Sequence, residues 1–251
     1  MPAFPAITNG SRQWTPQRTA SIEMNDTSGE TTGRTVAGRW PATVALGLEY
    51  AVLFFGFPLA YYLGCVMLPL FVALWLLAAG CTGVLLAARG FDRRRLWDAR
   101  DVGRRISRAF IPFAIAAPLL LLATVLFEPD RLFAFVRQRP VLWAVVMVLY
   151  PVLSAYPQGV VYRAFVFHRY RRIFGGGWAM VLGSAVAFSF VHIIFHNWIA
   201  PVLSFAGGIL FAWTYERTGS SLIATVQHAL FGCYLFTIGL GWYFYHGSVG
   251  G

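Results

Sequence analysis

The chain has 251 residues, of which 58% are hydrophobic and 12% charged, whereas an ordinary globular protein carries about 25% charged residues. Too few polar side chains remain to cover a water-facing surface. That excludes a soluble domain and points to an all-α, polytopic membrane helix bundle. The formal charge is +10 and every basic residue is Arg. The arginines sit between apolar runs, so anionic lipid headgroups are the expected contact, at roughly 1 kcal/mol per basic residue near the surface. Nucleic acid is not expected as a partner.

Residues 1–40 are rich in Thr, Ser, Gly and Pro and hold no apolar run. They read as a disordered tail rather than a signal peptide. A span needs ~20 apolar residues, and seven follow in chain order. They cover about 42–63, 66–88, 109–127, 141–167, 178–195, 199–215 and 222–245, with a turn marked by Gly64 and Pro69 between the first two. The expected organisation is a tail (1–40), three accessory spans with an arginine-rich loop (41–140), and a four-span core (141–246). The loop after the second span holds eight arginines from Arg89 to Arg108, and the loop after the fourth holds Arg169, Arg171 and Arg172. The opposite loops hold Arg131, Arg137 and Arg139. The positive-inside rule then puts the N-terminus and both rich loops in the cytoplasm. Trp143, Trp178, Trp198 and Trp242 fall near span ends, as in an aromatic belt. Cys65, Cys81 and Cys233 lie in apolar runs without a C-x-x-C pair and read as small buried hydrophobes.

Polar side chains at membrane depth are costly and are functional candidates by default. Gln158 and Arg163 sit in the fourth span, His192 and His196 at the end of the fifth, and His228 in the seventh. With a pivot at residue 175, positions 158 and 192 share a depth in an antiparallel pair, and His228 falls within about five residues, ~8 Å, of it. Gln158, His192 and His228 are therefore expected to line one cavity, with Gly207 and Gly208 allowing close helix approach. The bland alternatives are interhelical glue for each histidine and snorkelling for Arg163. His168, His246 and the His196–Asn197 turn are expected at the interface, and Glu49 has no evident partner.

Three short motifs carry a resemblance. Gln158-Gly159-Val160-Val161-Tyr162-Arg163 stands where the pattern has Glu-Glu-x-x-x-Arg. Phe188-Ser189-Phe190-Val191-His192 matches Phe-x-x-x-His. His228-Ala229-Leu230-Phe231-Gly232 stands where the pattern has His-x-x-x-Asn. In order and spacing this resembles the CPBP family of CAAX prenyl proteases and bacteriocin-processing, Abi-type membrane proteins, over about residues 141–246. The resemblance implies an intramembrane endopeptidase cleaving a membrane-associated peptide, without a cofactor. In that family the first glutamate and first histidine are thought to activate a water, while the second histidine and the asparagine stabilise the oxyanion. Arg163, His192 and His228 match; Gln158 and Gly159 occupy the glutamate positions, and Gly232 the asparagine position.

Those departures bear on chemistry. A general base must accept a proton near neutral pH, and neither an amide nor a glycine can. From Arg131 to Tyr215 the sequence holds no Asp or Glu. Losing a general base costs typically ~10²–10⁴-fold, and losing an oxyanion donor a further ~10²–10³. A weak or absent protease follows, and a pseudoprotease that binds a membrane peptide or lipid tail is the alternative. A third reading takes His192, His196 and His228 as ligands of zinc or haem, although Ile193 breaks the H-E-x-x-H pattern. A transporter is disfavoured because the two halves show no self-similarity.

Overall fold

The computed structural model describes residues 39–100 and 102–244. The expected N-terminal tail and His246 lie outside the described residues. Among the described residues there is no strand, and seven helices are long and apolar enough to cross a membrane. In lipid every backbone polar group must be satisfied internally, and a helix achieves this within one segment. We number the spans α1 (Ala42–Tyr62), α2 (Leu70–Ala87), α3 (Gly103–Phe127), α4 (Pro140–Arg169), α5 (Trp178–Phe195), α6 (Ile199–Thr218) and α7 (Ser221–Ile238).

Three ends differ from the sequence reading by a helical turn or more. Helix α2 starts at Leu70 rather than 66, because Pro69 stands at its N-cap and Gly64 takes φ +73°. Helix α3 starts at Gly103, six residues earlier than read, through the arginines of its first turns. Helix α7 stops at Ile238, where Gly239 takes φ +105° and a short 3₁₀ turn, Leu240–Phe244, follows.

The core belongs to the second half of the chain. In its apolar stretch α7 is 56% buried and α5 50%, against 6% for α3. Helix α3 is thus peripheral, with Ile111, Ile115, Leu119 and Leu122 turned outward as a lipid-facing side would have them. Tyr162, Met180, Phe188, Phe211, Tyr215 and Ile223 are nearly inaccessible. Helices α5 and α6 cross closely at Gly208, where an added Cβ would lie 3.1 Å from the Cα of Ala185. Gly207 does not serve that crossing; its open side faces Phe211 of its own helix.

The arginine-rich loops gather at one end of the bundle. There Ser220 Oγ donates to the Asp98 carbonyl (2.7 Å), and the Gly177 amide donates to Glu216 Oε1 (2.8 Å). Glu49 is not isolated after all. It accepts two bonds from Arg169 (2.9 and 2.6 Å) and one from the Tyr170 hydroxyl (3.0 Å), tying α1 to the end of α4. At the other end Glu128 pairs with Arg131 (3.3 Å) and accepts from Tyr243.

Candidate active site

Helix α4 sets the site. Pro151 has no amide hydrogen, and the ladder loosens into a π turn at Pro151–Ala155; a second π turn follows at Val160–Phe165. One α-helical turn, Tyr156–Gly159, lies between them and carries Gln158 and Gly159. Arg163 falls in the second π turn.

Arg163 does not snorkel. It is 1% exposed, its guanidinium carbon 4.2 Å from the centre of the Phe188 ring and 5.2 Å from that of Phe211. Cation–π attraction of this kind is worth ~2 kcal/mol when desolvated, which offsets part of the cost of burying the charge. Its one polar contact is Nη1 donating to the Gln158 carbonyl at 3.4 Å; Nε and Nη2 have no acceptor among the described residues.

Both histidines pack on the same phenyl ring. His192 lies 4.8 Å and His228 5.2 Å from Phe188, ring centre to ring centre, and His228 also stacks on Phe211 at 4.8 Å. Nδ1 of His192 lies 2.7 Å from the Phe188 carbonyl. A carbonyl only accepts, so Nδ1 carries the proton and Nε2 keeps its lone pair. Nε2 of His228 lies 3.0 Å from the Tyr150 hydroxyl, while its Nδ1 is buried without a partner.

The positions where the motifs depart are closed by other side chains. A Cβ on Gly232 would overlap the Tyr150 phenol. Tyr150 therefore occupies the room beside His228 that a side chain at 232 would need. A Cβ on Gly159 would overlap Thr225 Oγ1 and lie 3.4 Å from Ser221 Oγ; both hydroxyls are buried without a partner. Gln158 turns its amide nitrogen to Ser154 Oγ (2.8 Å), leaving a buried, unpartnered Oε1. Arg163, His192 and His228 thus meet around Phe188, and the backbone of Gln158 joins them through Arg163.

The three-histidine metal alternative is not supported. Helix α5 becomes a 3₁₀ turn at His192, and His196 takes φ +55°. That turn breaks the shared face expected of residues four apart, and His196 stacks on Tyr62 instead (4.4 Å). Among the described residues no group of three His, Cys, Asp or Glu side chains is placed to hold a metal ion.

Some site residues escaped the motif reading. Tyr150, Phe211 and Thr225 are side chains that fill or face the Gly232 and Gly159 positions or carry the rings. Gln227 was also missed: it is 2% exposed and satisfied at both ends, accepting from Thr214 Oγ1 (2.8 Å) and donating to the Ala109 carbonyl (3.0 Å). It is interhelical glue of the kind the histidines were weighed against.

Residues 140–234 match the family model described as type II CAAX prenyl endopeptidase Rce1-like. The match runs from the start of α4 through most of α7, so the CAAX-protease resemblance carried by the three motifs stands over that stretch. Neither a curated protein nor a solved structure matched the chain.

Proposed function

We propose that this integral membrane protein is a CAAX-protease-like pseudoprotease, which holds a membrane-associated peptide at the Arg163–His192–His228 cluster without cutting it. One observation carries the reading. The cluster offers buried hydrogen-bond donors, Arg163 Nε and Nη2, with no carboxylate to receive them. Donors of that kind fit a peptide carbonyl or terminal carboxylate. Among the described residues no acid bonds to Arg163: Glu49, Asp98 and Glu128 are engaged elsewhere. In this reading α4–α7 form the peptide-binding core and α1–α3 are accessory.

The test uses the full chain in nanodiscs with fluorescent peptides ending in a CAAX sequence, prenylated and unprenylated. Saturable binding is expected, with the peptide intact by mass spectrometry. Binding should survive His192→Ala within about threefold and fall at least tenfold in Arg163→Met, the loss of one charge-assisted hydrogen bond. Product that accumulates with the native chain and vanishes in His192→Ala would overturn the proposal. It would favour a second reading, a slow endopeptidase using His192 Nε2 as its sole base, which the bond from Nδ1 to the Phe188 carbonyl supports.

The same proposal puts the arginine-rich end in the cytoplasm, following the charge asymmetry of the loops. Exposed Cys65, in the α1–α2 turn, then faces the opposite compartment. A membrane-impermeant thiol reagent should label it from outside a sealed, right-side-out vesicle; labelling only after lysis would reverse the orientation.

A further inference from the structure

At the arginine-rich end, away from the histidine cluster, a cavity of about 580 Å³ opens between α1, the end of α2 and the end of α4. Its walls are of two kinds. Leu46, Val84, Phe91 and Phe167 make an apolar floor, while Arg95, Arg169, Arg171 and Arg172 supply charge, with Asp92 the one acid in the lining. Arg169 is held by Glu49 (2.6 Å). Among the described residues neither Arg171 nor Arg172 has an acidic partner, and the lining sets four arginines against one acid. The four arginines are exposed at the rim of an open cavity, and a cleft lined by charge of one sign concentrates the field and draws in ions of the opposite sign. Arginine forks favour the paired oxygens of phosphate or carboxylate.

The position of the cavity selects among anions. Val84 of the apolar floor is itself exposed on the membrane span α2, so apolar surface lies beside the arginines. A free anion has no use for that surface, whereas a phospholipid places its phosphate among the arginines and its acyl chains along the helices. The volume lies within the 300–1,000 Å³ or so typical of ligand pockets. We propose that this cavity is a binding site for the headgroup of an anionic glycerophospholipid. The lipid phosphate engages Arg171 and Arg172, beside Arg169, which Glu49 holds in place. The occupant joins α1 and α2 to the end of α4, so the site also couples the first spans to the region carrying Arg163.

The test measures lipid binding by native mass spectrometry of the full chain released from detergent, titrated with phosphatidylglycerol, phosphatidylcholine or inorganic phosphate. Phosphatidylglycerol should bind, and the Arg171→Gln/Arg172→Gln variant should bind it about thirty-fold more weakly, the effect of two basic side chains at a membrane surface. Arg139→Gln, at the other end of the bundle, should bind as the native chain does. Both positions in the double variant are exposed, and an unchanged helical circular-dichroism spectrum will establish that it folds. Equal binding of phosphatidylcholine, or binding indifferent to the double variant, would overturn the proposal. Inorganic phosphate binding as tightly as the lipid would also overturn it, by assigning the cavity to a soluble anion.

Discussion

Exchanging the occupants of one space, Tyr150 and residue 232, gives a quantitative test of the site. In Gly232→Asn the new Cβ overlaps the Tyr150 phenol, and overpacking of this kind costs ~1–3 kcal/mol. Tyr150→Ala removes the 3.0 Å bond to His228 Nε2 and the edge contact with Phe236 at 5.5 Å. The bond is worth ~1 kcal/mol. Because Tyr150 is only half-buried, its packing adds less than the ~3–5 kcal/mol of a core aromatic; about 2–3 kcal/mol in all is expected. The double variant puts the asparagine in the room the phenol has left. It should be destabilised by only ~1–2 kcal/mol, giving a coupling of roughly 2–4 kcal/mol between the positions. The assay is reversible unfolding in mixed micelles of rising SDS fraction, run on the native chain, both singles and the double. Additive losses would refute the argument that Tyr150 holds the space of the missing asparagine.

Other outcomes follow from the same geometry. Arg163→Met keeps volume and apolar packing against Phe188 and Phe211 while removing an unpaired charge. It should leave stability within about 1 kcal/mol of the native chain, whereas Arg163→Ala should cost at least ~2 kcal/mol by opening a cavity; SDS unfolding distinguishes them. Glu49→Gln breaks the bidentate bond to Arg169. Both side chains are more than a third exposed, so the cost should stay below ~1 kcal/mol and shrink further in high salt. Asp98 hydrogen-bonds Arg100, which holds its carboxyl well below the usual carboxylate range. A depressed folded value means that the stabilisation is present above the unfolded pKa of ~3.9 and is lost as pH falls below it. A pH titration of unfolding should therefore show a steeper acid limb for the native chain than for Asp98→Asn.

The seven spans were readable because lipid demands apolar length and little else. The hairpin pivot and fixed rise that put Gln158, His192 and His228 at one level foreshadowed the two histidines, which pack on the same Phe188 ring. Facing was not readable. Two π turns in α4 each add a residue to the ladder, so a regular 3.6-residue projection misplaces side chains beyond them. Tyr150 stands before the first π turn and Arg163 within the second, which hid both their partners. The three-histidine alternative failed for a related reason: α5 unwinds at His192, and the turn at His196 passes through positive φ. Snorkelling, the bland alternative for Arg163, gave way because neighbouring aromatic faces offer the guanidinium a nearer resting place. Glu49 found a partner 120 residues away, a distance over which local sequence carries no signal. Tyr150 had one faint cue: a glycine at 232 leaves space beside His228 that some larger residue must fill.

In the proposed pseudoprotease, missing carboxylates rather than the histidines hold the site back from hydrolysis. The direct measurement is peptide cleavage by the native chain beside a Gln158→Glu/Gly159→Glu/Thr225→Ala chain, in which removal of the Thr225 hydroxyl makes room for the new side chain. Intact peptide is expected from the native chain and cleaved peptide from the restored one. Equal cleavage by both, abolished by His192→Ala, would contradict it.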